Sequence, residues 1–501
     1  MSDTARAEQA AKLLAALPAS VEMPAGTGKT HLLVDVVQQI ADEHTSSPSG
    51  RRPKVLVLTH THAGVQAVRQ RLGHALADVT DISTLSSFAF DVARSYPQLG
   101  GITVPEHPDW EQSAAYLQAG VRVCGSTHIR RVLAASYTHL LVDEYQDCSR
   151  PQHELIVSLS GCIPATAVFG DRLQGVFGFD RALPLVSWAD VEASFSRYSV
   201  QHEPWRWHGH NRDLGTWLLS LRARLVPGTT LDLSDAETPS GMRFLPADPT
   251  NKALKNEVYR TRPPGESVLV LTGNAPAQTR KIASQVCRQG YSAMEDINGA
   301  FMREQLIELA ATPVDGWACW LARLAKRCFT GYSKIDDTVM KRLAAKRPAA
   351  GLSRPGLAAT VAALDVVAAA PSLTTLAAAM RGIDRAREAS AHSSEAWRTV
   401  AAAIDGVPRD CDAAELRDEL LRSLAALRDQ LRHIGRPERH RQVSRTLLVK
   451  GLEYDHVIIT DISALTDVCN LYVALTRARK TITIIGHSAH VALSATRGAT
   501  I

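Results

Sequence analysis

The chain has 501 residues, 45% hydrophobic and 21% charged, with a formal net charge of +5. That length is too great for one compact core and implies two or more domains of an ordinary globular protein. The mild positive balance tolerates nucleic acid as a partner without demanding it. The 8 cysteines include no C-x-x-C pair, which argues against zinc or iron–sulfur ligation and for reduced thiols in a cytosolic protein. No apolar run approaches the length needed to span a bilayer.

The first residues, MSDTARAEQAAKLLAAL, read as a helix carrying acidic residues rather than as a signal peptide. The expected location is therefore the cytoplasm. A short strand, Ser20 to Glu22, leads into Met23–Thr30, M-P-A-G-T-G-K-T, and a helix follows over Lys29 to Ile40. The loop fits G-x-x-x-x-G-K-[ST] except that Met23 stands at the first glycine position. Small residues let backbone N–H groups point at phosphates, and Gly26, Thr27 and Gly28 supply that cradle. Lys29 is expected to reach the β- and γ-phosphates and Thr30 to hold Mg²⁺. The N-terminus of the following helix adds a favourable dipole for anions.

Buried strands are expected at Lys54 to Thr59, Thr138 to Asp143 and Ala165 to Gly170, each followed by a turn and a helical stretch. This alternation predicts a parallel sheet with helices on its faces. A small insertion is expected at about Tyr96 to Ser136. The strand L-L-V-D-E-Y-Q ends in two carboxylates and should neighbour the phosphate-loop strand. There Asp143 would bind the magnesium shell and Glu144 would polarise the attacking water. A second α/β unit is signalled by Ser267 to Thr272, Asp455 to Thr460 and Thr481 to Ile485. Between them, about Arg303 to His440, the chain is rich in Ala, Leu and Arg and shows no convincing strand. Leu416, Leu420, Leu424, Leu427, Leu431 and Ile434 recur at steps of three and four, as on one face of a long helix that packs into a core.

The order of the remaining segments is more specific. F-G-D-R-L-Q-G-V-F-G-F-D-R-A at Phe169 to Ala182 resembles the G-D-x-x-Q-x-I-Y-G-W-R-G-A segment of the UvrD/PcrA/Rep-like superfamily 1 helicases. Val57 to Arg71 resembles the family's L-T-F-T-N-x-x-A segment, and Ser83 to Arg94 its T-F-H-S-F segment. Pro204 to Arg206 resembles its Y-R. K-G-L-E-Y at Lys450 to Tyr454 and Y-V-A-L-T-R-A-R at Tyr472 to Arg479 are similar to K-G-L-E-F and Y-V-A-x-T-R-A. Asn298 to Gln305 faintly resembles G-x-x-F-x-x-R-x-E.

The resemblance implies an α/β protein with two RecA-like parallel-sheet P-loop domains, helical insertions, and ATP with Mg²⁺ bound between the domains. The expected division is 1–204 for the first domain, with its small insertion at about 96–136. The second domain takes 205–302 and 441–501, and a helical insertion takes 303–440. By similarity, Gln9 reads the adenine edge, Trp205 stacks on the base, Glu453 holds the ribose, and Gly451 belongs to the nucleotide-binding residues. Gln174 senses the γ-phosphate. Arg206 and Arg477 reach it from the second domain as arginine fingers.

Thr59, His60, Ser86, Phe177 and Phe179 fall where the family meets single-stranded DNA. The two phenylalanines either stack on bases or simply pack. The resemblance departs here: His60 stands where the family has Phe, His62 where it has Asn, Ser86 where it has His, and Leu447 and Leu448 where it has His-Ser. The implied activity is an ATP-dependent DNA helicase or single-strand translocase, 3′ to 5′ if it follows the family. In size and layout the chain is similar to the helicase-like subunit of the Gabija antiphage system. That layout implies, as an alternative, a DNA-triggered ATPase working beside a separate nuclease in antiphage defence. No membrane partner is expected.

Overall fold

The structure is a computed structural model and describes residues 3–46, 53–105, 112–177, 184–294, 299–352, 354–434 and 440–496. Two compact units divide the chain: Met1–Arg243 with Leu465–Thr481 and Ser488–Ile501, and Phe244–Ala464 with Ile482–His487. The division differs from the expected one: residues 205–243 and the stretch Leu465–Thr481 belong to the first unit.

The first unit is built on strands β1 (Ala19–Glu22), β2 (Val55–Thr59), β3 (Thr80–Thr84), β4 (His139–Val142), β5 (Thr166–Gly170) and β6 (Ser196–Tyr198). They form one sheet in the order β3-β2-β4-β5-β1-β6, with every pairing parallel. All five residues of β2 and of β5 are buried, as strands covered by helices on both faces must be. Helices α1 (Asp3–Ala15), α2 (Lys29–Ser46), α3 (His62–Leu72) and α4 (Leu85–Ser95) belong to this unit. Thr61 and Thr84 cap α3 and α4, their hydroxyls accepting from Gly64 N and Ser87 N. The expected small insertion is helical, with Pro97–Gly100, Ser113–Gly125 and Thr127–Ser136. Because all strands run the same way, the segments that leave β1, β2, β3, β4 and β5 share one edge, where α/β sheets bind their ligands. One expectation is corrected here. The strand carrying Asp143 does not adjoin the phosphate-loop strand, because β5 lies between β4 and β1.

The other six-stranded sheet is ordered Ser292–Ala293, Arg441–Ser444, Val268–Leu271, Tyr454–Ile459, Ala478–Gly486 and Met242–Pro246, and all of it but Met242–Arg243 and Ala478–Thr481 falls in the second unit. The first four are paired in parallel. The helices from Ala300–Ala311 to Leu416–Ile434 enclose a core of their own around Trp320, Tyr332 and Trp397. Both tryptophans are buried yet satisfied: the indole N–H groups donate to Gln305 O (3.2 Å) and Met380 O (3.1 Å). On the leucine stripe, Leu420 and Leu424 are buried and Leu416 and Leu427 pack against the same core. The side chains of Leu431 and Ile434 lie outside the described residues. The expectation of no strand here is corrected by a two-residue antiparallel pair, Phe329–Thr330 with Ser390–Ala391. Among the described residues, no helix is long and apolar enough to cross a membrane.

Candidate functional site

Met23 follows the phosphate-loop strand β1, its N–H donating to Gly170 O at 2.8 Å. Its side chain is buried in the apolar core that also holds Leu33 and Phe169, so a large residue at a usual glycine position is accommodated by packing inward. Gly26 has φ +73, and a Cβ there would lie 2.6 Å from the Trp207 ring. Both facts require glycine. Gly26 O accepts from Arg206 N at 3.0 Å, and the segment Trp205–Trp207 is thereby laid along the loop. Trp205 is half-exposed beside Gly28. Trp207 is fully buried, and its indole N–H donates to Ala478 O at 2.7 Å.

At the head of α2, the Lys29 ammonium lies 3.1 Å from Asp143 Oδ1 and also pairs with Glu144. Burial alone would drive a lysine toward neutrality. The two carboxylates outweigh it and hold Lys29 charged, well above its ordinary range. Glu144 sits in the left-handed region at φ 56, ψ 41. For a residue with a Cβ this costs on the order of 1–3 kcal/mol, and such strain concentrates at functional sites. The Glu144 carboxylate meets Lys29. Gln146 fixes it there, donating from Nε2 to Glu144 Oε2 at 2.5 Å while its Oε1 accepts from Asp171 N at 2.9 Å. Thr30 Oγ1 lies 3.5 Å from Asp143 Oδ2. These hard oxygen donors suit Mg²⁺, which typically takes one or two carboxylates and completes its shell with phosphate and water. Among the described residues no group of three or more His, Cys, Asp or Glu side chains forms a stand-alone metal site.

After β5, Asp171 is fully buried and joins four partners. It accepts from Ala25 N (2.9 Å), Gln174 Nε2 (2.8 Å), Leu173 N (3.3 Å) and Arg222 Nη1 (2.6 Å). Arg222 also donates to Glu22 (2.8 Å) and to the Tyr472 hydroxyl (3.0 Å), which in turn accepts from Ala25 N at 3.2 Å. Burial holds the Tyr472 phenol protonated. Arg477 is 0% exposed; it donates to Val473 O (2.9 Å), Thr476 Oγ1 (2.9 Å) and Gln174 Oε1 (3.3 Å). Arg206 donates to Thr476 O at 2.5 Å. Arg206 and Arg477, expected from the second domain, therefore stand in the first unit, tied by hydrogen bonds to the residues around the loop.

The structure thus brings together Lys29, Thr30, Asp143, Glu144, Gln174, Arg206 and Arg477 with Gly26, Thr27 and Gly28. Gln9 is half-buried on α1, whose Arg6 pairs with Asp35 of α2 at 2.6 Å. Gly451 and Glu453 are exposed in the second unit, just before the strand Tyr454–Ile459. Toward β2 and β3, Thr59 ends β2, His60 follows it, Ser86 lies in the first turn of α4, and Phe177 follows β5. The His60 and Phe177 rings are 5.4 Å apart at 39°. Phe179 lies outside the described residues. Sequence reasoning missed Gln146, Asp171, Trp207, Arg222 and Tyr472 as site residues. Gln146, Asp171 and Tyr472 sit inside the matched segments, so their signal was present. Arg222 sits in none.

A glycine-rich loop between β1 and α2, with a buried lysine on an acidic pair two strands away, defines a P-loop nucleotide-binding protein. Residues 4–119 and 109–186 match the UvrD/REP helicase N-terminal domain. This match lies within the first unit. Among solved structures, the chain is similar to the Pif1 helicase from Candida albicans at 15% identity, covering 59% of this chain and 55% of that one, with a TM-score of 0.31. The chain thus spans little more than half of that structure. No curated protein matches it.

Proposed function

We propose that the protein is an ATP-dependent DNA helicase or single-strand translocase that moves 3′ to 5′ in the cytoplasm. The observation that carries this reading is the buried cluster of Lys29, Asp143 and Glu144, joined through Gln146 and Asp171 to Gln174 and Arg477 inside a UvrD-like unit. The loop N–H groups and Lys29 bind the phosphates of ATP, exchanging the lysine's carboxylate partners for phosphate oxygens. Thr30 and Asp143 would hold Mg²⁺, which offsets negative charge on the transferring group. Released from Lys29, Glu144 orients the attacking water and accepts its proton. Gln174 and Arg477 stabilise charge on the γ-phosphate, and Arg206 acts beside them. Trp205 offers its half-exposed face to the base, and Gln9 reads the base edge.

The row Thr59, His60, Ser86 and Phe177 meets single-stranded DNA along the same sheet edge. Phe179 joins it on the family resemblance. The test is strand displacement on duplexes with a 3′ tail, a 5′ tail or no tail. The 3′-tailed duplex should open with ATP and stay closed with Lys29→Ala. A protein that opens none of them would refute the helicase reading.

The departures at His60 and Ser86 favour a second reading: a DNA-triggered ATPase that controls a separate nuclease in antiphage defence. In that case DNA ends stimulate hydrolysis while duplexes stay closed until the nuclease is added.

A further inference from the structure

A cavity with a volume of about 550 Å³ opens in the first unit. It is lined by the ends of β1 and β6, the turn after β5 and the helix Arg212–Leu221 with the turn after it. Pro24 of the phosphate loop and Arg222 line it, but none of Gly26 to Thr30, Asp143 or Glu144 does, so it adjoins the site built on Lys29 without coinciding with it. Its size lies within the range of small-molecule pockets.

The lining is rich in arginine. Arg172, Arg197 and Arg222 face it against a single carboxylate, Glu22. Glu22 is already engaged by Arg172 at 2.9 Å and by Arg222 at 2.8 Å. Arg222 is held in place by Asp171 behind it, with 16% of its side chain exposed, so one guanidinium is pre-positioned. Arg197, 60% exposed and only 3.9 Å from Glu192, and Arg172, 41% exposed, can turn from their carboxylate partners to an incoming anion. Ser199 and His202 add further polar groups. The remaining wall, Tyr198 with Val200 and Leu219, offers an aromatic and apolar surface. Guanidinium forks match phosphate oxygens two at a time, and an aromatic face suits a flat ring.

We propose that this cavity binds a nucleoside monophosphate group, its phosphate on Arg172, Arg197 and Arg222 and its ring against Tyr198. The group can arrive as a free nucleotide or as the phosphorylated 5′ end of a strand. Calorimetric titration distinguishes the two. The probes are thymidine 5′-monophosphate and a short oligothymidylate with and without its 5′-phosphate. Arg197→Glu should weaken binding of the mononucleotide by roughly tenfold or more, the scale of one lost charge-assisted contact. It should leave basal ATP hydrolysis and the melting temperature unchanged. Lys29→Ala should leave mononucleotide binding intact. If only the 5′-phosphorylated strand shows Arg197-dependent binding, the occupant is a strand end. The proposal is overturned if neither probe binds, if binding is unaffected by Arg197→Glu, or if it disappears in Lys29→Ala.

Discussion

At the β4-β5-β1 end of the first sheet, charged and amide side chains are buried and paired: Lys29, Asp143, Gln146, Asp171, Gln174 and Arg477 are all 9% exposed or less. At the β2-β3 end of the same edge, the candidate residues are a buried threonine, a half-buried serine and a half-buried His–Phe ring pair. The difference is physical. A buried charge is tolerated only with its full set of partners, so changing one member strands the others. A half-buried hydroxyl or ring packs against many alternatives at small cost.

Four substitutions sharpen this contrast, from the largest effect to the smallest. Arg477→Ala should slow ATP hydrolysis by about 10³–10⁵-fold, as loss of an arginine finger does, while nucleotide binding persists. Equilibrium binding of a fluorescent ATP analogue, read beside turnover, separates the two. Loss of binding alone would assign Arg477 a different role. Glu144→Gln should lower turnover by roughly 10²–10⁴-fold, the usual weight of a general base. Full activity in single-turnover phosphate release would remove that assignment.

Arg222→Met should destabilise the protein by about 3–5 kcal/mol, because Asp171 is left buried and unpaired by its cation. Urea unfolding reads this, and an unchanged midpoint would mean that Ala25, Leu173 and Gln174 satisfy Asp171 unaided. Phe177→Ala should weaken single-stranded DNA binding by about 1–3 kcal/mol if the ring stacks on a base, with DNA-free hydrolysis unchanged. Fluorescence anisotropy on a labelled oligonucleotide checks it, and an unaltered affinity makes Phe177 a packing residue.

The sequence is most legible where burial is two-sided. The runs at Val55–Thr59, Thr166–Gly170 and Val268–Leu271 are apolar on both faces and read directly as strands. Strands β3 and β6 stand at the two edges of their sheet. T-D-I-S-T and S-R-Y are buried on few positions there, and neither carries an apolar run. The phosphate loop and the acidic pair are local in sequence and so were readable. The network around Asp171 joins Ala25, Arg222 and Tyr472 across most of the chain, and no local spacing encodes it. The placement of Arg206 and Arg477 in the first unit was hidden for the same reason. It depends on hydrogen bonds between residues some 270 positions apart, Arg206 with Thr476 and Trp207 with Ala478.

The most direct test is the steady-state rate of ATP hydrolysis by the purified protein, with and without single-stranded DNA, beside Lys29→Ala. A nucleic-acid motor should be strongly stimulated by DNA, and the mutant should lose both the basal and the stimulated rate. A wild-type rate indifferent to DNA, with Lys29→Ala inactive, would contradict coupling between the two ends of the sheet edge and leave an ATPase without a DNA cycle.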